Sequence, residues 1–457
     1  MTKRRSLELA VFLLALLLPA ACDQVFRTGR VGNTTNAPNA DGACPAGLSV
    51  CGKGAFAQCL DLQNDRMHCG TCDNACALGI ACAMGACQQV ACVGPVAVST
   101  QTLPETTAPT GATLSGALLA DVNGDGRPDL VTCHRSQTPE ETFQVALGQA
   151  SGGFGLSSTY QAANAVGFIL AADSNGDGFD DLYVNDAWQS SCLEIWLGHA
   201  DGKLTPTTGA GNAGCIVTLA QADLNGDGVE DTVAYTPYDV VPAVFLADAN
   251  GALHVGTRLS AKHNGTVVMV QDWNGDGLPD LVGVSQILAV YLNRGNGTFE
   301  DEIDCGVFIS NYQQVVIADF NRDGHPDVAA AMIAEGVGVL LGMGGCEFQP
   351  MAEYPLSGSV VGLAYTDLDG DGLGDLVART SDGVVSALHG EVDGTFQVTP
   401  LASVGACLDG CSLLVADVTG DGKVDIVVAG GSEMVLESGK PPTEVVYPTQ
   451  VLANACP

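Results

Sequence analysis

Positive charge is what this sequence has least of. Its 457 residues hold 17 Lys and Arg against 52 Asp and Glu, a formal net charge of −35. A field of that sign repels a nucleic-acid backbone, and no basic stripe offsets it, so nucleic acid is excluded as a partner and cations are favoured. Catalytic signatures are missing too. The seven histidines (His68, His134, His199, His254, His263, His325 and His389) form no H-E-x-x-H or other ligand spacing, and no G-x-S-x-G elbow or Walker loop occurs. Long apolar runs are confined to one, "LAVFLLALLL", too short and too terminal for an ordinary membrane span. Charged residues make up only 15% of the chain while hydrophobic ones reach 46%, which excludes a disordered polymer and supplies a large packed core.

What is present begins with an export signal. "MTKRRS" is basic, the apolar run follows, and "LLPAAC" ends at Cys22 behind the small residues Ala20 and Ala21. This resembles the lipobox of bacterial lipoproteins, with Pro19 departing from its usual Leu. The resemblance implies a signal peptide over 1–21, lipidation of Cys22, and a place on the bacterial cell envelope and its outer surface, with the lipid as the membrane contact. The alternative is an ordinary signal peptide cut near Ala21 and a secreted product. Eighteen cysteines suit an oxidising destination. With Cys22 lipidated seventeen remain, so one thiol is expected to be free or joined to another molecule.

Residues 22–43 are polar and aromatic-poor and read as a flexible tether. Residues 44–92 hold Cys44, Cys51, Cys59, Cys69, Cys72, Cys76, Cys82, Cys87 and Cys92. The stretch resembles small disulfide-rich modules of secreted bacterial proteins. Cys69 and Cys72 with His68 suggest zinc instead, but a single C-x-x-C in an exported chain favours disulfides.

The rest of the chain repeats. "DVNGDGRPD" starts at Asp121, "DSNGDGFDD" at Asp173, "DLNGDGVED" at Asp223, "DWNGDGLPD" at Asp272, "DFNRDGHPD" at Asp319, "DLDGDGLGD" at Asp367 and "DVTGDGKVD" at Asp417. The third position is Asn123, Asn175, Asn225, Asn274, Asn321, Asp369 and Thr419. The fifth is Asp125, Asp177, Asp227, Asp276, Asp323, Asp371 and Asp421. The ninth is Asp129, Asp181, Asp231, Asp280, Asp327, Asp375 and Asp425. Position six is always Gly, where a chain folding round an ion turns sharply. Position seven varies freely (Arg127, Phe179, Val229, Leu278, His325, Leu373 and Lys423), as expected where the backbone carbonyl is the ligand. Hard oxygen donors in this number favour Ca2+, so up to seven Ca2+ ions are expected, the seventh weakest because Thr419 is the poorer donor. An EF-hand is excluded: position twelve holds residues such as Thr132, Val184 and Gly283 in place of a bidentate Glu.

Apolar segments flank every loop, and hairpin signatures such as "LAVYLNRGNGTFEDE" complete each period. Four short strands repeated seven times give an all-β, seven-bladed β-propeller over 111–450. Residues 93–110 are a linker or a closing strand, and 451–457 a C-terminal tail. Blade seven closes either through "SEMVLES" and "TEVVYPTQV" or through an outer strand from "PVAVSTQTL" (95–103).

"DxNGDGxxD" followed by an apolar strand, with "GNGTF" in the next hairpin, resembles the FG-GAP/VCBS repeats, which include the propeller of integrin alpha subunits. The resemblance implies Ca2+ loops on one face and ligand binding on the opposite one. It suggests a cell-surface binding or adhesion module that is not an enzyme, whose Ca2+ is mainly structural and whose ligand is a protein or a glycan. The alternative is a carbohydrate-active lectin, lyase or hydrolase on the same scaffold. Aromatics, 5% of the chain, are too few for a lectin-like ring of one per blade. On the opposite face His134, Arg135, Trp188, Tyr235, Tyr238 and Tyr312 are candidate contacts, and Cys192–Cys215 and Cys407–Cys411 candidate disulfides.

Overall fold

The computed structural model describes residues 96–455, apart from 103–111, 137–141, 163–167, 186–192, 208–216, 236–240, 249–252, 261–266, 285–286, 309–311, 333–335, 407–410, 431, 436–442 and 447–448; before residue 96 it describes 49–51, 58–60, 80, 82–83 and 86–87. The expected signal, Cys22 and tether lie outside the described residues, as do Cys192, Cys215, Cys407, Trp188, Tyr238 and the side chains of Arg135, Tyr235 and Tyr312.

The two apolar segments around each acidic loop pair as antiparallel strands, and two more strands follow. In the fourth repeat Val267–Gln271, Asp280–Val284, Ile287–Tyr291 and Ile303–Phe308 lie in that order. Every residue of Asp280–Val284 is buried. Leu281 packs with Leu224 and Val244 of the third repeat, while its neighbour Val282 packs with Ile317 and Val328 of the fifth. Successive side chains leave opposite faces of a strand. A sheet covered on both sides therefore needs apolar residues throughout, which is why the inner strands read as unbroken apolar runs. Outer strands such as Phe396–Ser403 are exposed or half-buried at all but one position.

Seven such four-stranded sheets follow in chain order. The inner strand Ser412–Ala416 of the seventh lies against Ala112–Ala120 of the first, and the Ala117 amide donates to Ser412 Oγ at 2.9 Å. The architecture is the all-β seven-bladed propeller that the repeats predict.

Closure takes the N-terminal route. Blade seven consists of Ser412–Ala416, Asp425–Ala429, Gln450–Asn454 and, outermost, Val98–Thr102. "PVAVSTQTL" is therefore the closing strand and not a linker. "SEMV" and "TEVV" pair with each other as a separate hairpin, Ser432–Val435 with Thr443–Val446, outside the blade sheet. The expected boundary at 450 is crossed by a strand, because the third strand of the blade needs the buried residues Val451 and Leu452. Deleting residues 96–102 removes the outer partner of Gln450–Asn454 and leaves a bare edge, which invites intermolecular pairing. We expect a lower melting temperature and oligomers in size-exclusion chromatography; a monomer of unchanged stability would refute the role of this strand.

The cysteine-rich segment is not independent of the ring. Ser49–Cys51 pairs with Gln58–Leu60 and Cys82–Ala83 with Ala86–Cys87. Ile80, 1% exposed, joins the apolar cluster of blades six and seven with Val96, Val385 and Leu452. Among the described residues no cysteine is free, so the expected odd thiol is not one of them. Cys305 of the outer strand of blade four is bonded to Cys346 of blade five, Cα atoms 4.7 Å apart. The spacing of cysteines does not reveal this pair, since the residues are 41 apart in sequence and meet only when the blades pack.

Candidate metal centres

Each acidic loop occupies the eight residues between the first and second strands of its blade. The register is the same throughout: the residue before position one pairs with the aspartate at position nine, as in Ala120–Asp129, Gln271–Asp280 and Ala416–Asp425. Inside the loop, side-chain oxygens gather the backbone amides. Asp272 Oδ1 accepts from the Asp276 amide at 3.1 Å, and Oδ2 from Gly277 at 2.8 Å. Asn274 Oδ1 accepts from the Asp276 amide at 2.9 Å, and Asp276 Oδ1 from Leu278 at 2.9 Å. Loops one, two and five repeat these four bonds. The oxygens of positions one, three and five are thus held on one side of the turn with lone pairs to spare, a carboxylate having about four. In loop seven Thr419 differs: its backbone amide turns to Asp425 Oδ2 at 2.9 Å.

Two left-handed positions make the turn. Position six is glycine with φ near +81° to +103° in every loop. Position four is also left-handed. It is Gly124, Gly176, Gly226, Gly275, Gly370 and Gly420 in six loops but Arg322 in the fifth, at φ +58°. A non-glycine residue there costs about 1–2 kcal/mol, so Arg322→Gly is expected to raise the urea midpoint by about 1 kcal/mol of stability. No gain would show that the Arg322 side chain repays the strain.

Position nine has a second task that sequence alone did not show. These aspartates are almost fully buried, 0–1% exposed, at the start of the second strand. Asp280 Oδ2 accepts from the Trp273 amide at 3.0 Å, at the loop entrance, and Oδ1 from the Asn293 amide at 2.7 Å, where the third strand ends. Every blade has both bonds; in the seventh the Asn454 amide donates to Asp425 Oδ1 at 2.8 Å. Close approach explains the glycines at the third-strand exits: a Cβ on Gly148, Gly198, Gly342 or Gly390 would meet a loop carbonyl at 2.3–2.6 Å. Asn293 and Asn454 use the same spot differently. Their Nδ2 groups donate to the position-eight carbonyls Pro279 O and Val424 O, and to Leu224 O and Leu368 O of the preceding loop.

Burial dominates the electrostatics. It outweighs the two amide donors and pushes Asp129, Asp181, Asp231, Asp280 and Asp375 up to about 7, and Asp327 and Asp425 to about 6. A folded-state value above the unfolded one, near 3.8, means the native state binds protons more tightly. The associated stability is complete below about pH 4 and is lost as pH rises through about 7. Metal-stripped protein is therefore expected to resist urea better at pH 5 than at pH 8. An equal or lower midpoint at pH 5 would contradict this.

Loop six is set apart. Asp367, Asp369 and Asp371 offer carboxylate oxygens within 4.8 Å of one another, and so do Asp369 and Asp375 with a nitrogen of His389. The donor set of loop six converges as a cation site requires, and the other six loops carry the same oxygen-bearing residue types on the same tight turn, beside a buried carboxylate that favours a positive neighbour.

The candidate ligand-contact residues fare differently. His134 is buried, its Nε2 lies 3.0 Å from Thr132 Oγ1, and burial lowers its pKa to about 4, so it is a neutral core residue and not a surface contact. The described aromatics serve packing. Phe143, Tyr160 and Trp196 meet between blades one and two with centroids 5.2–5.6 Å apart, and Phe320 and Tyr354 both meet Phe396 between blades five and six.

Comparisons with known proteins agree with the blade pattern. The family model described as FG-GAP-like repeat matches residues 121–184, 173–234, 272–330 and 367–428, together just over half of the chain. No curated protein matches. Among solved structures the chain is similar to the Photorhabdus luminescens Tc holotoxin pore, at 16% identity and TM-score 0.39 over 78% of this chain and 14% of that one. It is also similar to BBS1N in complex with ARL6DN, at 12% identity and TM-score 0.48 over 79% and 97%. The chain thus spans only a small part of the toxin chain's length. Each family match starts at an acidic loop and ends in the strand beyond the next loop, so the repeat unit is the one built above, and the chain belongs to the FG-GAP-like repeat family.

Proposed function

We propose that this protein is an exported, cell-surface binding module, whose seven loops hold Ca2+ as a structural ion and whose ligand site lies on the opposite face. One observation carries the reading. Because neighbouring strands are antiparallel, connections between first and second strands share one face, and those between second and third strands share the other. On the first face every connection from first to second strand is an eight-residue acidic loop, and the connections from third to fourth strands in blades one to six run from five to eleven residues. On the other they range from two residues, between Val284 and Ile287, to twenty, between Ala429 and Gln450, where an extra hairpin is inserted. Uniform loops serve the scaffold; variable ones are where recognition is built on a rigid frame.

The "LLPAAC" stretch supports lipidation at Cys22, and the Cys305–Cys346 bond suits an oxidising compartment. No H-E-x-x-H, G-x-S-x-G or Walker motif accompanies the loops, which favours binding over catalysis. The ligand is a protein or glycan of the surroundings.

The test uses the full chain in millimolar Ca2+, displayed on a glycan array and on an array of surface proteins. A second form carries a three-residue connection in place of 430–449. Binding that disappears in the shortened form, with melting unchanged, supports recognition on this face. Binding that survives there but is lost on blocking the acidic loops would move the site to the other face. Cleavage of a bound polysaccharide would replace the reading with an enzymatic one.

A further inference from the structure

Loop six departs from its siblings at two places far apart in sequence. Position three is Asp369, where loops one to five have Asn. The residue before the third-strand exit is Leu147, Leu197, Leu246, Leu292 and Leu341 in blades one to five and Ala453 in blade seven, but His389 in blade six. Each change taken singly looks minor. Folded, they meet.

His389 Nδ1 lies 3.6 Å from Asp369 Oδ2 and 3.8 Å from Asp375 Oδ1. The nitrogen is shut off from water and has no hydrogen-bond partner. Both separations are too long for hydrogen bonds. They are close to what separates two ligands on one small cation, where metal–ligand bonds of about 2.0–2.2 Å set the donors roughly 3–3.5 Å apart. The other atoms of the group are already oriented. Asp369 Oδ1 accepts from the Asp371 amide at 3.1 Å, which leaves Oδ2 facing His389. Asp375 is fixed by the Gly390 and Leu368 amides, each at 2.8 Å. In loops one, two, four and five the Asn at position three donates Nδ2 to the aspartate at position five at 2.9–3.1 Å. Asp369 has no such donor to offer.

We propose that blade six carries a transition-metal site of the Zn2+, Mn2+ or Co2+ class, with His389 Nδ1, Asp369 and Asp375 as ligands. Ca2+ takes oxygen donors and gains little from an imidazole, whereas these metals bind a mixed nitrogen and carboxylate set well. The extra carboxylate makes loop six the most negative at its ligand positions, which suits a strongly bound dication. In loop six this metal takes the place of the Ca2+ read for all seven, and the site does not require that the other six hold Ca2+.

The test titrates Co2+ into the full chain in millimolar Ca2+, read by visible absorption and by metal content. One Co2+ per chain is expected, displaced by Zn2+. His389→Leu installs the residue of blades one to five, and Asp369→Asn the residue of loops one to five, so both are compatible with the blade. Each is expected to weaken Co2+ binding by about 100-fold, the top of the range for changes around a metal site, and to melt within a few degrees of the parent. Co2+ binding untouched by His389→Leu would overturn the proposal. So would absence of Co2+ binding by the parent chain, whatever His389→Leu does to its melting. Failure of the other loops to hold Ca2+, with the Co2+ result intact, would remove the calcium reading and leave this one standing.

Discussion

Stripping divalent cations from the folded chain is expected to lower its melting temperature by about 10 °C. Extracellular Ca2+ modules bind at roughly 10⁻⁴ to 10⁻³ M, so at millimolar Ca2+ one site adds about 1 kcal/mol. Seven loops then add several kcal/mol, comparable with the whole stability of many domains. A ring of this size loses about 1–2 °C per kcal/mol, by the usual entropy of unfolding per residue. The electrostatics point the same way: 22 aspartates stand at positions one, three, five and nine of the loops in a chain of net charge −35, and without counter-ions they repel one another. The measurement is calorimetry of the full chain with Ca2+ and with excess EGTA, beside a count of bound metal. The full chain is required because Ile80 belongs to the core of blades six and seven. Equal melting with no ion bound would reduce the loops to well-made turns.

Asp425→Ala is expected to be costly whether or not Ca2+ is present. Its Oδ2 holds the Val418 and Thr419 amides at 3.1 and 2.9 Å, and Oδ1 holds the Asn454 amide at 2.8 Å. Truncation leaves buried donors without acceptors, at about 1–3 kcal/mol each. It also frees the end of Gln450–Asn454, the strand on which Val98–Thr102 closes the ring. A loss of about 4 kcal/mol is expected in urea titrations, in Ca2+ and in EGTA alike. Asp421→Ala is the control. Asp421 is exposed and accepts from the Lys423 amide at 3.0 Å, so in EGTA its truncation is expected to cost no more than about 0.5 kcal/mol. In Ca2+ it is expected to lose about 1 kcal/mol more, the contribution of its ion. If the two variants are equally mild in EGTA, position nine is a ligand and nothing else.

The contrast between these two aspartates shows how far the sequence could be read. Both stand in "DVTGDGKVD" and both look like ligands, because one-dimensional spacing records chemistry and not burial. Asp425 becomes a staple only when the third strand arrives at Asn454, 29 residues on. The same limit applies to His134, which sits in a polar-looking stretch yet ends in the core of blade one. It applies also to Cys305 and Cys346, which belong to different blades. Position four was legible in principle, since six of its seven residues are glycine.

By itself the sequence determined the four-stranded repeat, the number of blades and the place of every acidic loop. Those follow from local rules, apolar segments flanking each loop, a turn that needs glycine and a hairpin signature, recurring at one spacing seven times. The tertiary structure decided how the ring closes, which aspartates are staples, how the cysteine-rich segment joins the core, and that His389 meets Asp369. Each of these depends on residues brought together by strand pairing within a blade or by the packing of one blade on the next. Such contacts are selected by the burial of whole sheets, a free energy that no single stretch of sequence carries.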